Sequence, residues 1–241
     1  MNKKLPYARF LEKVSIIWLL LKTGQLKTII AATITRIYSS RTSIGLLKNL
    51  NEDFDIIESK IQVNIRLFKD ADLNLMNEKF RHIGFIKQKI PDCYTGITNH
   101  DHPCFRMWFM KSSQNEKIKN YFGDLFPTLN SDEAIIEGVF TNPEYRGLKI
   151  MSHTITTICN KHKSEGIDKV IAFVNINNIP SLKGFRRSGF NHYIIRKEKW
   201  RFFKRTVVFE PLNKNILEAY EQNTSKNLFS IPIDLEGVFY L

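Results

Sequence analysis

The fold of this protein is decided by residues 137–190, which read EGVFTNPEYRGLKIMSHTITTICNKHKSEGIDKVIAFVNINNIPSLKGFRRSGF. Alternating and β-branched residues over 134–141 predict a strand, which ends at Pro143 because proline cannot donate to a β-ladder. From Leu148 onward, apolar residues recur on one helical face until a glycine ends the pattern. Residues 170–174 form a short, continuously apolar run that is typical of a strand buried on both faces. The stretch therefore predicts a strand, a turn, a helix, a second strand and a second helix.

The turn between this first strand and the helix carries Arg146 and Gly147. The first N–H groups of a helix have no partner within the helix and lie at the positive end of its dipole, so a diphosphate can bind there. Arg146 and Lys149 would add positive charge to such a site. An ordinary strand-helix-strand unit without a ligand fits this turn equally well.

A longer pattern connects this turn to the residues that follow. It consists of Thr141-x-Pro143-x-Tyr145-Arg146-Gly147-x-x-Ile150-Met151-Ser152, then Asn178-x-x-Ser181-Leu182, then Ser188-Gly189-Phe190. In combination these residues resemble the GNAT superfamily of N-acetyltransferases, over roughly residues 61–210. The resemblance implies an α/β fold with a mixed, mostly antiparallel twisted sheet flanked by helices. It also implies acetyl-CoA, or a related acyl-CoA, as cosubstrate and no metal.

The resemblance also implies which residues hold the cosubstrate. In that superfamily the turn motif donates backbone N–H groups to the pyrophosphate, the preceding strand pairs with the pantetheine arm, and the asparagine segment lies beside that arm. The implied binding residues are Val139, Phe140, Thr141, Arg146, Gly147, Lys149, Met151, Ser152, Asn178, Ser181 and Phe185.

Three residues depart from the superfamily pattern. Lys149 and Met151 stand where the pyrophosphate loop usually has small residues, and Phe185 stands where many members have a tyrosine that protonates the leaving thiolate. Lys149 can point outward if its backbone stays helical, and its ammonium would then favour a phosphate. Met151 lies on the core-facing stripe, so packing is the favoured interpretation of its side chain. Phe185 cannot act as an acid, so another group or solvent does so, or the thiolate leaves unassisted.

A carboxylate on the first strand is the predicted catalytic base. In acyl transfer to an amine, the ammonium must lose a proton, which a carboxylate beside the thioester can accept. In an extended strand the side chain of Glu137 shares a face with Val139 and Thr141. A catalytic residue occurs at this strand position in several members of the superfamily. We therefore predict Glu137 as the base and Glu133, of the same parity, as second choice, while a solvated or salt-bridged Glu137 is the competing interpretation.

Length and composition indicate one globular domain with extensions. The 241 residues are 43% hydrophobic and 25% charged, as in soluble globular proteins. The three cysteines lack metal-ligand spacing and predict reduced thiols in the cytoplasm. We expect an acidic connector over 49–60, an acetyltransferase domain over 61–212 and a C-terminal extension over 213–241.

Residues 1–48 are predicted to form a basic amphipathic arm. They contain nine basic residues and only one acidic residue, Glu12, within a chain of net charge +12. Their apolar clusters are too short to span a bilayer, which takes about 20 residues. Peripheral binding at the inner face of the membrane and packing on the domain or on a second subunit of a homodimer are equally supported. A secretory signal would lack its cleavage site, and nucleic-acid binding is disfavoured because no nucleic-acid-binding module is present.

Two further segments have competing interpretations. His100, Asp101 and His102 lie in a hairpin turn, where a solvated loop is favoured over a metal site because consecutive turn residues rarely converge on one ion. Aromatic residues within 115–131 could line an acceptor pocket, although a small apolar core under a loop explains them better.

These observations predict an acyl-CoA-dependent N-acetyltransferase that acts on a small-molecule amine. A narrower similarity, to acetyltransferase-like proteins of bacterial surface-polysaccharide clusters, rests on the basic arm and the Phe-Glu-Pro-Leu of 209–212, and it implies an amino sugar of a polysaccharide precursor as acceptor. The alternative is a catalytically silent acyl-CoA-binding module of the same fold with a membrane or protein partner. The departures at Lys149, Met151 and Phe185 keep this alternative open.

Overall fold

The computed structural model describes residues 26–76, 85–86 and 89–225, which contain one eight-stranded sheet. Its strands are β1 (Tyr38–Asn49), β2 (Asn64–Leu67), β3 (Cys93–Ile97), β4 (Pro103–Lys111), β5 (Glu133–Thr141), β6 (Lys169–Asn175), β7 (Asn191–Arg201) and β8 (Lys204–Glu210). The helices are α1 (Leu26–Ile37), α2 (Asn115–Phe122), α3 (Ile150–Lys163), α4 (Ile179–Arg187) and α5 (Lys214–Ser225).

The strands lie in the order β2-β3-β4-β5-β6-β1-β7-β8, and β5 and β6 are the parallel pair among otherwise antiparallel neighbours. The predicted mixed, mostly antiparallel sheet flanked by helices is therefore confirmed. The strands and helices predicted within residues 137–190 are present in the structure. In chain order they are the end of β5, then α3, β6 and α4. Strands β7 and β8 follow α4 in the chain and complete the sheet at one edge.

Alternating side chains place an apolar cluster on each face of the sheet. Ile136 of β5 and Ala172 of β6 belong to the cluster that includes α3, α4 and α5, which we call the α3 face. Ile135 and Phe173 belong to the other cluster, which includes α2 and which we call the α2 face. Because successive residues of a strand point to opposite faces, each strand contributes to both clusters.

The N-terminal arm is shorter than the sequence predicted. Residues 38–48, expected as the end of that arm, belong to β1, which lies between β6 and β7 in the sheet. Ile44 and Leu46 are fully buried. The prediction that the arm extends to residue 48 is therefore wrong for residues 38–48. Local sequence could not reveal this strand, because both its partners lie more than a hundred residues away in the chain.

The structure also describes the predicted acidic connector and part of the predicted C-terminal extension. The acidic connector runs along α3, where the N–H of Ile57 donates to Thr156 Oγ1 (3.1 Å). In the C-terminal extension, α5 packs on α4 through the buried Tyr220 and the Arg186–Glu221 ion pair (2.8 Å). Residues 1–25 and 226–241 lie outside the described residues. None of the helices that the structure describes is long and apolar enough to cross a membrane.

A buried histidine near the end of α3 makes stability depend on pH. His162 stacks on Phe109 (ring centroids 4.2 Å apart), and its two nitrogens contact Tyr94 Oη (3.0 Å) and Glu165 Oε2 (2.7 Å). Burial lowers the pKa of His162 from its usual value, although Glu165 acts in the opposite direction. The neutral imidazole is therefore the form that the folded protein favours.

We expect the free energy of unfolding to fall as the pH drops below about 6.5, where the unfolded histidine gains a proton that the folded one resists. The stability that the neutral His162 contributes is present above that pH. It is lost as the pH falls through the lowered pKa of His162 in the folded state. Urea unfolding at a series of pH values between about 5 and 7.5 measures this slope. His162→Gln keeps hydrogen-bonding groups but cannot titrate, so it should flatten the slope. An unchanged slope in this variant would assign the pH dependence to other groups.

Candidate active site

A gap between the parallel strands β5 and β6 forms the candidate active site. The two strands pair from Glu133 opposite Lys169 to Ile136 opposite Ala172, and no further residue pairs follow although both strands continue. A cavity of about 120 Å³ opens where the pairing ends. Its lining residues are Arg41, Ser43, Ile136, Glu137, Gly138, Val139, Phe173, Val174, Asn175, Asn178, Ser181, Phe185, Arg196 and Glu198.

A β-bulge at Gly138 produces this separation. The pairing of β4 with β5 shifts its register between Arg106 and Trp108, and Gly138 has a φ of +65°. Ile136 and Val139 pack against the same apolar cluster although they are three residues apart, so the strand alternation shifts by one across the bulge. The bulge thus turns β5 away from β6 and leaves backbone groups at the gap.

The cavity is lined from both faces of the sheet. On the α3 face the lining residues include Val139 and Phe185, which pack with the cluster of that face. On the α2 face they include Phe173 and Arg196, whose guanidinium lies 4.6 Å from the Phe173 ring centroid. Two molecules could therefore approach the same point from opposite sides of the sheet, one from each face.

The turn before α3 contains the predicted residues, but its backbone conformation differs from the predicted one. Gly147 and Lys149 both have left-handed φ values, +79° and +61°. Lys149 therefore lacks the helical backbone on which its predicted outward orientation depended. A left-handed residue is usually glycine, which explains why the superfamily pattern has a small residue there. Arg146 and Lys149 are exposed, and a Cβ built on Gly147 would contact nothing within 4 Å. The turn therefore offers open space, two cations and the start of α3 together.

Two of the predicted cofactor residues use their side chains for packing. The hydroxyl of Ser152 is buried and donates to Gly184 O at 3.2 Å, which joins α3 to α4. A Cβ on Gly184 would lie 2.6 Å from the sulfur of Met151, so these residues are in close contact. The side chain of Met151 therefore packs as the favoured interpretation held, and any contact of these residues with a ligand falls to their backbone.

The asparagine segment lies directly beside the gap. Asn178 caps α4, because its Oδ1 accepts from the N–H of Ser181 at 3.3 Å, and both residues line the cavity. Phe185 also lines it and packs edge-to-face on Phe190 with ring centroids 5.0 Å apart. No tyrosine, cysteine or histidine occurs among the lining residues that the structure describes.

The remaining predicted residues of β5 lie beyond the cavity. Phe140 is buried, and the carbonyl of Thr141 accepts a hydrogen bond from Arg146 Nε at 3.3 Å. This bond links the end of β5 to the turn before α3. The predicted cofactor residues thus fall into two adjacent groups, one at the gap and one at the start of α3.

The two predicted carboxylates have different positions. Glu137 lines the cavity at the bulge, and its Oε1 accepts from the N–H of Gly138 at 3.0 Å. It does not share a face with Val139 as predicted, because the bulge intervenes. Glu133 lies at the other end of the strand, where its Oε2 accepts from the N–H of Asn130 at 2.9 Å, and it does not line the cavity.

Polar residues from β1 and β7 also line the cavity, although no sequence pattern predicted them. Arg41 lies opposite Glu198 in the pairing of these strands, and both line the cavity. Arg196 is buried, and it donates to Leu125 O (3.1 Å) and Ser43 Oγ (3.3 Å). No local motif marks these residues, since they meet only through the pairing of strands 150 residues apart in the chain. The structure thus adds a second carboxylate and two cations to the α2 side of the gap.

The histidine turn does not form a metal site in the part of the chain that the structure describes. His102 Nδ1 contacts the carbonyl of His100 at 2.8 Å, within an exposed loop. Among the described residues, no group of three or more His, Cys, Asp or Glu side chains could hold a metal ion.

Comparisons with known proteins give the same fold. Residues 104–190 match the model of the acetyltransferase (GNAT) family. The glucosamine N-acetyltransferase region of a fungal multi-domain GH3 β-N-acetylglucosaminidase is similar in structure, with 11% identity, a TM-score of 0.51 and coverage of 73% of this chain and 23% of that one. A GCN5-related N-acetyltransferase from Sphaerobacter thermophilus has 12% identity, a TM-score of 0.49 and coverage of 78% and 57%.

This chain therefore spans only part of the length of these solved structures. No curated protein sequence matches it. At 11% identity the likeness to the fungal region concerns the fold alone. The family match concerns the segment that contains the bulge, the turn, α3 and α4. The matched segment forms the strands and helices that surround the gap, so this part of the chain is similar to the acetyltransferase (GNAT) family.

Proposed function

We propose that this protein transfers an acetyl group from acetyl-CoA to the amine of a small molecule. The observation that carries the proposal is the cavity at the end of the β5–β6 pairing, which is lined from both faces of the sheet. Such a gap lets a donor approach from the α3 face and an acceptor from the α2 face. None of the three cysteines, all within the described residues, is part of a disulfide, which supports a cytoplasmic location.

The residues near α3 and α4 fit acetyl-CoA. When bound, acetyl-CoA supplies the activated acetyl thioester. Arg146 and Lys149 would neutralise its phosphates, with the N–H groups at the start of α3 beside them. Asn178 and Ser181 would lie along the arm that leads to the thioester. The open space at Gly147 leaves room for the phosphates to approach the backbone.

Glu137 is the proposed base. Its carboxylate lies at the bulge and lines the cavity, so it can accept the proton of an incoming ammonium directly or through one water. Phe185 supplies no proton, and no tyrosine, cysteine or histidine occurs among the described lining residues. A thiolate is a tolerable leaving group near neutrality, because an ordinary thiol has a pKa of about 8.5. The missing tyrosine therefore does not prevent the transfer.

We propose an amino sugar, carried on a phosphate, as the acceptor. The α2 side of the cavity carries Glu137 and Glu198, which suit an ammonium, together with Arg41 and Arg196, which suit an anionic group. The similarity to surface-polysaccharide acetyltransferases supports the sugar. The fungal region with the same fold is a glucosamine N-acetyltransferase by name, which makes free and phosphorylated glucosamine sensible first substrates to compare.

The cosubstrate proposal predicts a charge-dependent affinity. We expect Arg146→Ala combined with Lys149→Ala to weaken acetyl-CoA binding by roughly ten- to a hundredfold, because two cations leave the phosphate site. Both side chains are exposed, so the fold should persist. Isothermal calorimetry of the wild type and the double variant measures the change.

Acetyl-pantetheine, which lacks the diphosphate, is the control ligand. Its weaker affinity should be the same for both proteins, since the two cations act only on phosphate. Equal losses for both ligands would remove Arg146 and Lys149 from the cosubstrate site. If acetyl-CoA binds but no amine in a panel of amino sugars is acetylated, a silent acyl-CoA-binding module becomes the better description.

A further inference from the structure

An exposed apolar surface lies at one end of the sheet. Its members come from α1, the start of β1 and the β7–β8 turn, and we call it the end patch: Ile30, Ile34, Ile37, Tyr38, Phe202 and Phe203. The most exposed are Phe202 at 84% and Tyr38 at 67% of their residue surface. Single exposed apolar residues are ordinary, whereas a contiguous group indicates an interaction site.

Backbone hydrogen bonds hold the parts of the end patch together. The N–H groups of Phe202 and Phe203 donate to the carbonyls of Ile37 and Arg36, each at 2.8 Å. The three isoleucines follow helical spacing and share one side of α1. Tyr38 lies under the guanidinium of Arg201, which is 3.8 Å from its ring centroid. The end patch is therefore one surface built on fixed elements.

The two phenylalanines are poor residues for the turn they occupy. Arg201 pairs with Lys204, so the turn has two residues, and Phe202 and Phe203 have φ values of +48° and +65°. A two-residue turn with both φ values positive strongly favours Asn-Gly. Bulky side chains are strained there and gain nothing from burial, since both are exposed. Their presence is better explained by a partner outside the chain than by the fold.

The surroundings of the end patch are positively charged. The segments 26–48 and 199–209, which contain it, have no acidic residue. Lys199 and Lys204 are exposed beside the turn. The chain enters α1 from residues 1–25, which hold five basic residues and one acidic residue. An apolar surface with a mostly basic rim repels a second copy of itself and attracts an anionic surface.

The end patch lies at the same end of the sheet as the cavity. Tyr38 begins β1, and Arg41, three residues further, lines the cavity opposite Glu198. Three residues of an extended strand span about 10 Å, so Tyr38 and Arg41 are about that far apart along β1. A surface that contacts the end patch would therefore lie close to the α2 side of the active-site gap.

We propose that the end patch binds the protein to an anionic membrane surface, with Phe202 and Phe203 entering the interface and the lysines contacting lipid phosphates. The cavity then opens near the membrane, where an acceptor carried by an amphiphile would be presented. The docking does not depend on the proposed chemistry and can be tested without it.

The test uses the full chain and co-sedimentation with vesicles. Vesicles of phosphatidylcholine with about 30% phosphatidylglycerol should bind the protein, and vesicles of phosphatidylcholine alone should bind it at least about tenfold more weakly. Phe202→Asn combined with Phe203→Gly installs the preferred turn and removes both aromatic rings. This variant should be at least as stable in thermal unfolding, yet bind anionic vesicles at least about tenfold more weakly.

Leu67→Ser combined with Leu75→Ser is the matched control, since these leucines are exposed to a similar extent (56% and 52%) near the opposite edge of the sheet. Vesicle binding should be unchanged in it. Equal binding of both double variants would overturn the proposal, as would equal binding to neutral vesicles. A dimer in sedimentation equilibrium that disappears only in the Asn-Gly variant, without vesicle binding by the wild type, would instead assign the end patch to a second copy.

Discussion

Glu137→Gln should lower kcat by roughly 10²- to 10⁴-fold and leave the affinity for acetyl-CoA nearly unchanged. The substitution keeps the shape of the side chain, and the amide oxygen can still accept from the N–H of Gly138, as Glu137 Oε1 does now. It removes the ability of the side chain to accept a proton from the acceptor ammonium. Steady-state kinetics over a pH series, together with calorimetry of acetyl-CoA, measure both quantities.

Glu133→Gln is the matched control for this prediction. Glu133 has the same side chain on the same strand, but it binds the N–H of Asn130 and does not line the cavity. Its kcat should stay close to that of the wild type. A large loss in Glu198→Gln with an unchanged Glu137→Gln would transfer the role of base to Glu198, the other carboxylate of the cavity. Unchanged kinetics in both variants would leave deprotonation to solvent.

Gly138→Ala should cost about 2–4 kcal/mol of stability and also reduce kcat by at least about tenfold. Gly138 has a φ of +65°, and a Cβ there would lie 2.6 Å from the Trp108 ring. That ring has little room to move, because it is buried, donates to Ile90 O at 3.2 Å and packs on Phe85 with centroids 4.9 Å apart. The added methyl must therefore shift the bulge that positions Glu137.

Gly166→Ala separates backbone strain from crowding. Gly166 also has a positive φ, +86°, but a Cβ there would contact nothing within 4 Å. This control should cost only about 1 kcal/mol and leave kcat unchanged, since it lies beyond α3 and away from the gap. Chemical denaturation of the three proteins gives the free energies of unfolding. If the two alanine variants were equally stable and equally active, the bulge would not be needed to hold the site.

The sequence by itself determined the elements whose signals are local. The run from β5 through α4 was predicted because turn residues, helical periodicity and a continuous apolar strand all lie within 137–190. The same local signals identified the turn at Arg146 and Gly147. Each of these features depends on residues close together in the chain, so a single sequence is enough to show them.

Tertiary structure decided the features that depend on distant strands. The position of β1 within the sheet follows from pairing with β6 and β7, which no local pattern records. The same pairing brings Arg41 and Arg196 to the cavity. The bulge at Gly138 overturned the predicted parity of Glu137, because one extra residue in a strand exchanges its faces. The end patch likewise exists only because the β7–β8 turn hydrogen-bonds to the end of α1, about 165 residues earlier in the chain.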